Sequence, residues 1–420
     1  MKIKYMAMVL AVLLLGCISE TFAAAAPLEQ GLTVKDGKFV RGDGTIIVPR
    51  GFAIVGGLQL LDRQEAFAAN WGVTPAAWLA QLAAHGVNLL YLQDRLRVTE
   101  QNGESIQRNL GWLLAQCAEQ GIYVAVPVDG TGDTARRTLD FCLAKFPKSP
   151  SLALWEFGGT PAEVSALSAY CREVDPQKRP VGTFVEVGKW DAQRKELLTI
   201  KSLDWLRAGA IGNWVLQFPG DPLWRQNPKA LLPVALSGGP PRLRLPVPPG
   251  PTGLREYPAE ETGHPASFAW LLWRDAAGFS STLLGLDLFD NDPTLPKQFP
   301  IVLRIMASFA KGMEATIEAD HWGLQAVDVP PNGNASSFAM ASDGRHLVMN
   351  GLGFWDATRI GNREAFALSG LRPGAYQVLW YDAMTGTAVE QRVRFGDKPS
   401  VVSPGRPWLL YVRPVQEEEK

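Results

Sequence analysis

Short apolar runs alternate with amphipathic stretches from about residue 31 onward. Val87–Leu92, Ile122–Val128, Leu152–Phe157 and Pro180–Val187 are apolar runs of strand length. Between them, Ser105–Gln120, Asp133–Phe146 and Ala162–Val174 space their apolar residues as helices do. Thr74–His85 is also helical: Trp78, Leu79 and Leu82 form one stripe, Thr74 can cap, Pro75 suits the first turn and Gly86 stops it. Arg50–Ile54 reads as a first strand. A small hairpin precedes it, Thr33–Val40 with Thr45–Pro49, around the turn Gly42-Asp43-Gly44. Strands that alternate with helices predict parallel pairing through crossover helices.

The pattern loosens but continues. Asp191–Ala208 reads as helix, Ile211–Phe218 as a sixth strand and Pro233–Ser237 as a seventh. Gly238–Pro258 is rich in Pro and Gly and reads as a long loop. His264–Ala277 is helical, Ser281–Phe289 is an eighth strand, and Pro300–Ala310 is a closing helix with Pro300 in its first turn. Eight strands in this order predict an α/β fold, a (β/α)8 TIM barrel. After about Glu318 the helical period disappears. Ser336–Ala341, His346–Asn350, Glu364–Ser369, Tyr376–Tyr381, Val389–Phe395 and Trp408–Val412 are strand-like and separated by turn signals, which predicts a small all-β sandwich. The expected boundaries are 1–26 for an export signal, 27–317 for the barrel, 318–416 for the sandwich and 417–420 for a charged tail.

The chain has 420 residues and a formal net charge of -1, with no run of Lys or Arg. A nucleic-acid partner held by phosphate neutralisation is therefore not expected. Met1–Ala26 reads as an export signal, with Lys2 and Lys4 ahead of the apolar Met6–Gly16. Two processing routes stay open. The alanine run Ala23–Ala26 suits signal peptidase and a secreted or periplasmic product. Leu14-Leu15-Gly16-Cys17 resembles a lipobox, and a membrane association would follow only from lipidation at Cys17. Cys117, Cys142 and Cys171 fall in predicted helices without CxxC spacing; they read as small buried hydrophobes, not as a metal site. Neither a P-loop nor a dinucleotide-binding glycine pattern is present, and no cofactor is expected.

Several segments, in order, resemble clan A glycoside hydrolases, the superfamily of cellulase-like and mannanase-like retaining enzymes. They are Leu32–Phe39, Arg50-Gly51, Gly86-Val87-Asn88-Leu89-Leu90-Tyr91, Ser151–Pro161, and Val174-Asp175-Pro176 with Arg179-Pro180-Val181. The resemblance covers about residues 30–315. The sandwich segments Gly370–Tyr376 and Trp380-Tyr381-Asp382 resemble the β-domain appended to many polysaccharide-active enzymes. In the superfamily, strand four runs A-W-E-x-x-N-E-P. Here Leu154-Trp155-Glu156 keep the approach and Pro161 the exit, but Gly159 and Thr160 fill the Asn-Glu slot. Retaining hydrolysis needs two carboxyl groups about 5–5.5 Å apart. The resemblance puts one at Thr160 and the other, on strand seven, at Gly238. Tyr91 also stands where an Arg is common. Both slots are thus degenerate, and the expectation is a barrel that binds polysaccharide or glycan without the usual acid/base and nucleophile.

Other acids are candidates for a relocated site. Glu156 shares the strand face of Thr160 but lies about 13 Å deeper along an extended strand. The plainer reading is a buried carboxylate paired with a cation such as Arg50 at the barrel floor. Asp129 and Glu186 lie at predicted strand ends and are the two that a relocated catalytic pair would use; Asp94 and Asp287 are also rim positions and candidates for substrate contact. Solvated or capping roles compete for all four. Trp71, Trp190, Trp214 and Trp224 lie near predicted top-face loops, where a ring can stack on a sugar, although packing is the commoner use of Trp. Three functions therefore compete: a non-hydrolytic glycan binder, an active glycosidase with relocated carboxylates, and an envelope or matrix structural protein.

Overall fold

The computed structural model describes residues 26–35, 38–187, 190–191, 196–197, 214–219, 242–244, 280–290, 294–316, 336–340, 346–349, 365–367, 371–382, 386–402 and 408–415. Of the sequence features above, the export segment through Ala25, Trp224, the strand Pro233–Ser237, Gly238, the helix His264–Ala277 and the tail 417–420 lie outside these residues.

β1 (Thr33–Lys35), β2 (Lys38–Val40) and β3 (Ile46–Ile47) form an antiparallel sheet. The predicted single strand Thr33–Val40 is two short strands, β1 pairing antiparallel with β2. Leu32, Phe39 and Ile47 are buried with Ala53, Leu89 and Tyr123, so this sheet closes the N-terminal end of the barrel.

Eight parallel strands close on themselves: β4 (Gly51–Val55), β5 (Leu89–Leu92), β6 (Tyr123–Val128), β7 (Leu152–Phe157), β8 (Val181–Val187), β11 (Trp214–Pro219), β12 (Arg242–Arg244) and β13 (Ser280–Asp287). β9 (Trp190–Asp191) and β10 (Glu196–Leu197) make a short antiparallel ladder between β8 and β11. That ladder replaces the start of the predicted helix Asp191–Ala208. The helices of the described half are α1 (Gln64–Trp71), α2 (Pro75–Ala84), α3 (Gly103–Glu119), α4 (Gly132–Lys145) and α5 (Pro161–Val174). Thr74 caps α2, accepting from the Ala77 N–H at 3.3 Å. The closing helix α6 spans Thr294–Thr316 and runs through Pro300, which begins no helix here. Its buried residues Phe299, Val302, Leu303, Met306, Phe309 and Met313 keep a helical spacing on both sides of the predicted limits, and that packing decides its length.

The seventh strand also differs from expectation. It is β12, Arg242–Arg244, inside the segment read as a loop. Prolines at 240, 241 and 246 flank these three residues, so propensity reads them as irregular, and only pairing with β11 and β13 makes them a strand.

The motifs shared with the glycosidase superfamily hold this barrel together. The Arg50 N–H donates to Asn88 Oδ1 at 2.7 Å, and Asn88 Nδ2 donates to the Val48 carbonyl at 3.1 Å. A Cβ at Gly51 would lie 1.8 Å from the Leu89 carbonyl oxygen, so the close approach of β4 to β5 requires glycine. Arg179 donates to Asp175 Oδ1 at 2.8 Å and to the Leu152 carbonyl at 2.7 Å, while the Trp155 indole N–H donates to Asp175 Oδ2 at 3.0 Å. This buried network ties β7 to the end of α5 and to the start of β8.

A second layer follows the barrel. β14 (Ser336–Met340), β15 (His346–Met349), β20 (Trp408–Pro414), β17 (Gly374–Asp382) and β18 (Ala388–Phe395) form one antiparallel sheet in that order. β16 (Ala365–Ala367) pairs with β19 (Ser400–Val402), a strand the pattern did not indicate. Val401 packs with Leu371, Tyr376 and Val412 between them. Tyr381 and Tyr411 are buried in the same cluster as α6, and the Tyr381 hydroxyl donates to the Ser308 carbonyl. The β-sandwich is thereby docked on the closing helix.

Candidate functional site

The C-terminal ends of the barrel strands carry the site in this fold class. At the end of β7 the chain passes through Gly158 and Gly159 into α5. Thr160 is the N-cap. Its N–H and hydroxyl donate to Glu163 Oε2 at 2.8 and 2.7 Å, and its Oγ1 accepts from the Glu163 N–H at 3.4 Å. This reciprocal capping box satisfies donors that the first turn leaves orphaned. Sequence reasoning passed over Glu163, although Thr-x-x-Glu ahead of an apolar helix is its signature. The N–H and hydroxyl of Thr160 hold the Glu163 carboxyl below the ordinary glutamate range. It is thus a fixed anion committed to the cap, the opposite of a proton donor.

The neighbouring slot has changed in its backbone as well. Gly159 has φ 129°, a conformation that side chains disfavour, and a Cβ there would lie 3.0 Å from Glu163 Oε2. An Asn cannot occupy this position in this loop without strain.

Gly238 does not end the seventh strand, because β12 begins four residues later at Arg242. Gly238 and the predicted strand Pro233–Ser237 before it lie outside the described residues. The correction does not restore a carboxylate: residues 222–255 contain no Asp or Glu at all.

Glu156 lies one residue before the end of β7, aligned with Pro127 of β6 and Gly182 of β8. It is therefore inside the barrel and not at its floor, and it is wholly buried. Tyr91, two strands away, faces it, as members of one interior layer from alternate strands do. Arg50 is not among the groups acting on it: its guanidinium Nε donates to the Gly86 carbonyl at 3.2 Å. Burial pushes the Glu156 carboxyl up to about 8, against the weaker pull of the Tyr91 hydroxyl and the Arg95 charge. Neither Glu156 oxygen completes a hydrogen bond of good geometry among the described residues, and the Tyr91 hydroxyl is the donor beside it.

Asp94 and Asp287 are brought together. Asp94 follows β5, Asp287 ends β13, and β4 runs between these strands. Burial raises the Asp94 carboxyl, and the Asp287 charge adds to it. The N–H groups of Gly56, Leu58 and Gly57 oppose the shift. Asp287 Oδ1 itself accepts from the Phe289 N–H at 3.0 Å.

Asp129 follows β6 and is half-buried, its N–H bonded to the Leu96 carbonyl at 2.8 Å. Glu186 stands next to last in β8, in register with Phe218 of β11. The side chain of Glu186 is outside the described set, as are those of Trp190 and Trp214.

Trp71 packs on its neighbours and stays partly exposed. Its indole N–H donates to the Leu288 carbonyl at 2.8 Å, and its ring stacks on Phe67 and meets Phe299 edge-on at 5.0 Å between centroids. It packs α1 against α6 and the end of β13. Trp214 opens β11 at the N-terminal end, remote from the barrel mouth. The buried Cys117, Cys142 and Cys171 are free thiols. Among the described residues, no group of three His, Cys, Asp or Glu is arranged to hold a metal, and no helix is long and apolar enough to cross a membrane.

A closed eight-stranded parallel barrel followed by a docked β-sandwich is a clan A glycosidase-like fold. Solved structures agree. One described as a glycoside hydrolase matches with a TM-score of 0.63 at 14% identity, covering 94% of this chain and 100% of its own. A glycoside hydrolase family 5 protein from Bacteroides vulgatus matches with a TM-score of 0.60 at 14% identity, over 94% of this chain and 96% of its own. No protein-family model and no curated protein matches the chain by sequence.

Proposed function

We propose that this is an exported protein that binds polysaccharide or glycan at the mouth of a glycosidase-like barrel, without the retaining acid/base and nucleophile. The observation that carries the reading is the absence of any carboxylate from residues 222–255, the whole span around β12. The capping role of Thr160 in the other slot supports it. Glycoside hydrolases are the structural neighbours, which favours a glycan as ligand, and Met1–Ala26 favours export. The test is affinity electrophoresis of the full chain against β-glucan, mannan and xylan, with reducing-sugar release measured on the same polymers. Retardation by at least one polymer without sugar release is expected. Absence of retardation by all three would sink the binding reading, and steady sugar release would sink the non-hydrolytic one.

Asp94 and Asp287 give the active-enzyme alternative its specific footing, since two coupled carboxyls at a barrel mouth are what relocated chemistry would need. If sugar release is seen, Asp287→Asn should abolish it under this alternative and leave it unchanged otherwise.

A further inference from the structure

Glu156 poses a problem that the glycan-binding reading does not absorb. It is fully buried, and neither carboxyl oxygen completes a hydrogen bond of good geometry among the described residues. Its register neighbours cannot help. On β6 it aligns with Pro127, whose backbone has no N–H, and on β8 with Gly182, which has no side chain. Below it on its own strand stands Leu154, and Ala125 and Ala53 are buried nearby on β6 and β4. The titratable or charged groups that act on it are Tyr91 on β5 and Arg95 at the β5 exit, among the described residues. Arg95 is solvent-exposed. An ionised carboxylate in such a place is expensive, and the protein avoids it by keeping the proton.

We propose that Glu156 is a proton switch in the barrel interior: protonated, it keeps the β5–β7 half packed, and its ionisation loosens that half and the mouth built on it. The inference does not depend on the ligand being a glycan. Its sign follows from the raised carboxyl. The folded protein holds the proton up to about 8, whereas the unfolded chain releases it near the ordinary glutamate value of 4.5. The stabilising effect is therefore complete below the unfolded value, declines as the pH rises through the window between the two, and is gone above the folded value. Within the folded protein, the rearrangement itself is centred on the folded value.

Tryptophan fluorescence of the full chain, titrated from pH 6 to pH 10, reads this through β7: Trp155 lies on the opposite face of that strand, bonded to Asp175, and its surroundings change if the strand loosens. A reversible transition near pH 8 is expected in the wild type and absent in Glu156→Gln. Tyr91→Phe removes the hydroxyl that favours the charged form and should move the midpoint upward, a shift that a merely structural role would not produce. Hydrogen exchange followed by mass spectrometry should show faster exchange in β5 and β7 on the alkaline side. A folded wild type without the transition, or a Glu156→Gln variant that keeps it, overturns the proposal. If Glu156→Gln does not fold, the Tyr91→Phe midpoint decides: raised supports the switch, and unmoved overturns it.

Discussion

Arg179 and Glu156 show two solutions to one problem, a charge taken out of water. Arg179 is 2% exposed and answers with partners: Asp175, and the carbonyls of Leu152, Phe146 and Pro147. Glu156 lacks such partners and answers by keeping its proton. The two residues therefore respond differently to neutral substitution. Arg179→Met leaves Asp175 charged and buried, with the Trp155 indole and the Gln177 N–H as its remaining donors. Removing one member of such a pair costs about 3–5 kcal/mol. Urea denaturation should show that loss for Arg179→Met, and a loss within about 1 kcal/mol would mean that the network contributes little. Among the carboxyls at the mouth, Asp94 is the one that burial raises.

At the scale of elements, Thr160 is the position where one residue serves one structure in place of another chemistry. Thr160→Ala removes the hydroxyl half of the capping box and should destabilise the protein by about 1 kcal/mol, seen as a shift in the urea midpoint at constant slope. Glycan retardation should be unchanged, because the hydroxyl is spent on Glu163. Elements with strong local signals were legible in the sequence: β7 has its predicted bounds, and α2 begins at its Thr-Pro cap. Elements made by long-range pairing were not. Arg242–Arg244 has no apolar alternation, and β19 has three residues. Pro300 was read as a helix start because its local effect is strong, yet the apolar stripe of α6 outweighs it. Gly159-Thr160 was legible as the departure that sets this strand end apart. The Glu156–Tyr91 and Asp94–Asp287 neighbours were hidden, because they join strands that are distant in sequence.

For the whole molecule, the retained and the lost residues sort by role. Arg50-Gly51, Asn88, Trp155, Asp175 and Arg179 fasten one barrel element to the next, and the sandwich is fastened to α6 through Tyr381. These contacts determine whether the chain folds, so they persist with or without catalysis. On the proposed reading, the groups that would do hydrolysis are absent from the two positions that the resemblance indicates. This asymmetry makes a restoration experiment informative. Thr160→Glu returns a carboxyl to the acid position, but residues 222–255 still offer no nucleophile. A retaining reaction needs both groups. The variant should fold, with a penalty of about 1 kcal/mol for the weakened cap, and should release no reducing sugar from β-glucan, mannan or xylan. Sugar release by Thr160→Glu would mean that a second carboxylate already faces the mouth. Asp94 and Asp287 are the described pair at the rim, and adding Asp287→Asn to Thr160→Glu would then show whether Asp287 supplies it.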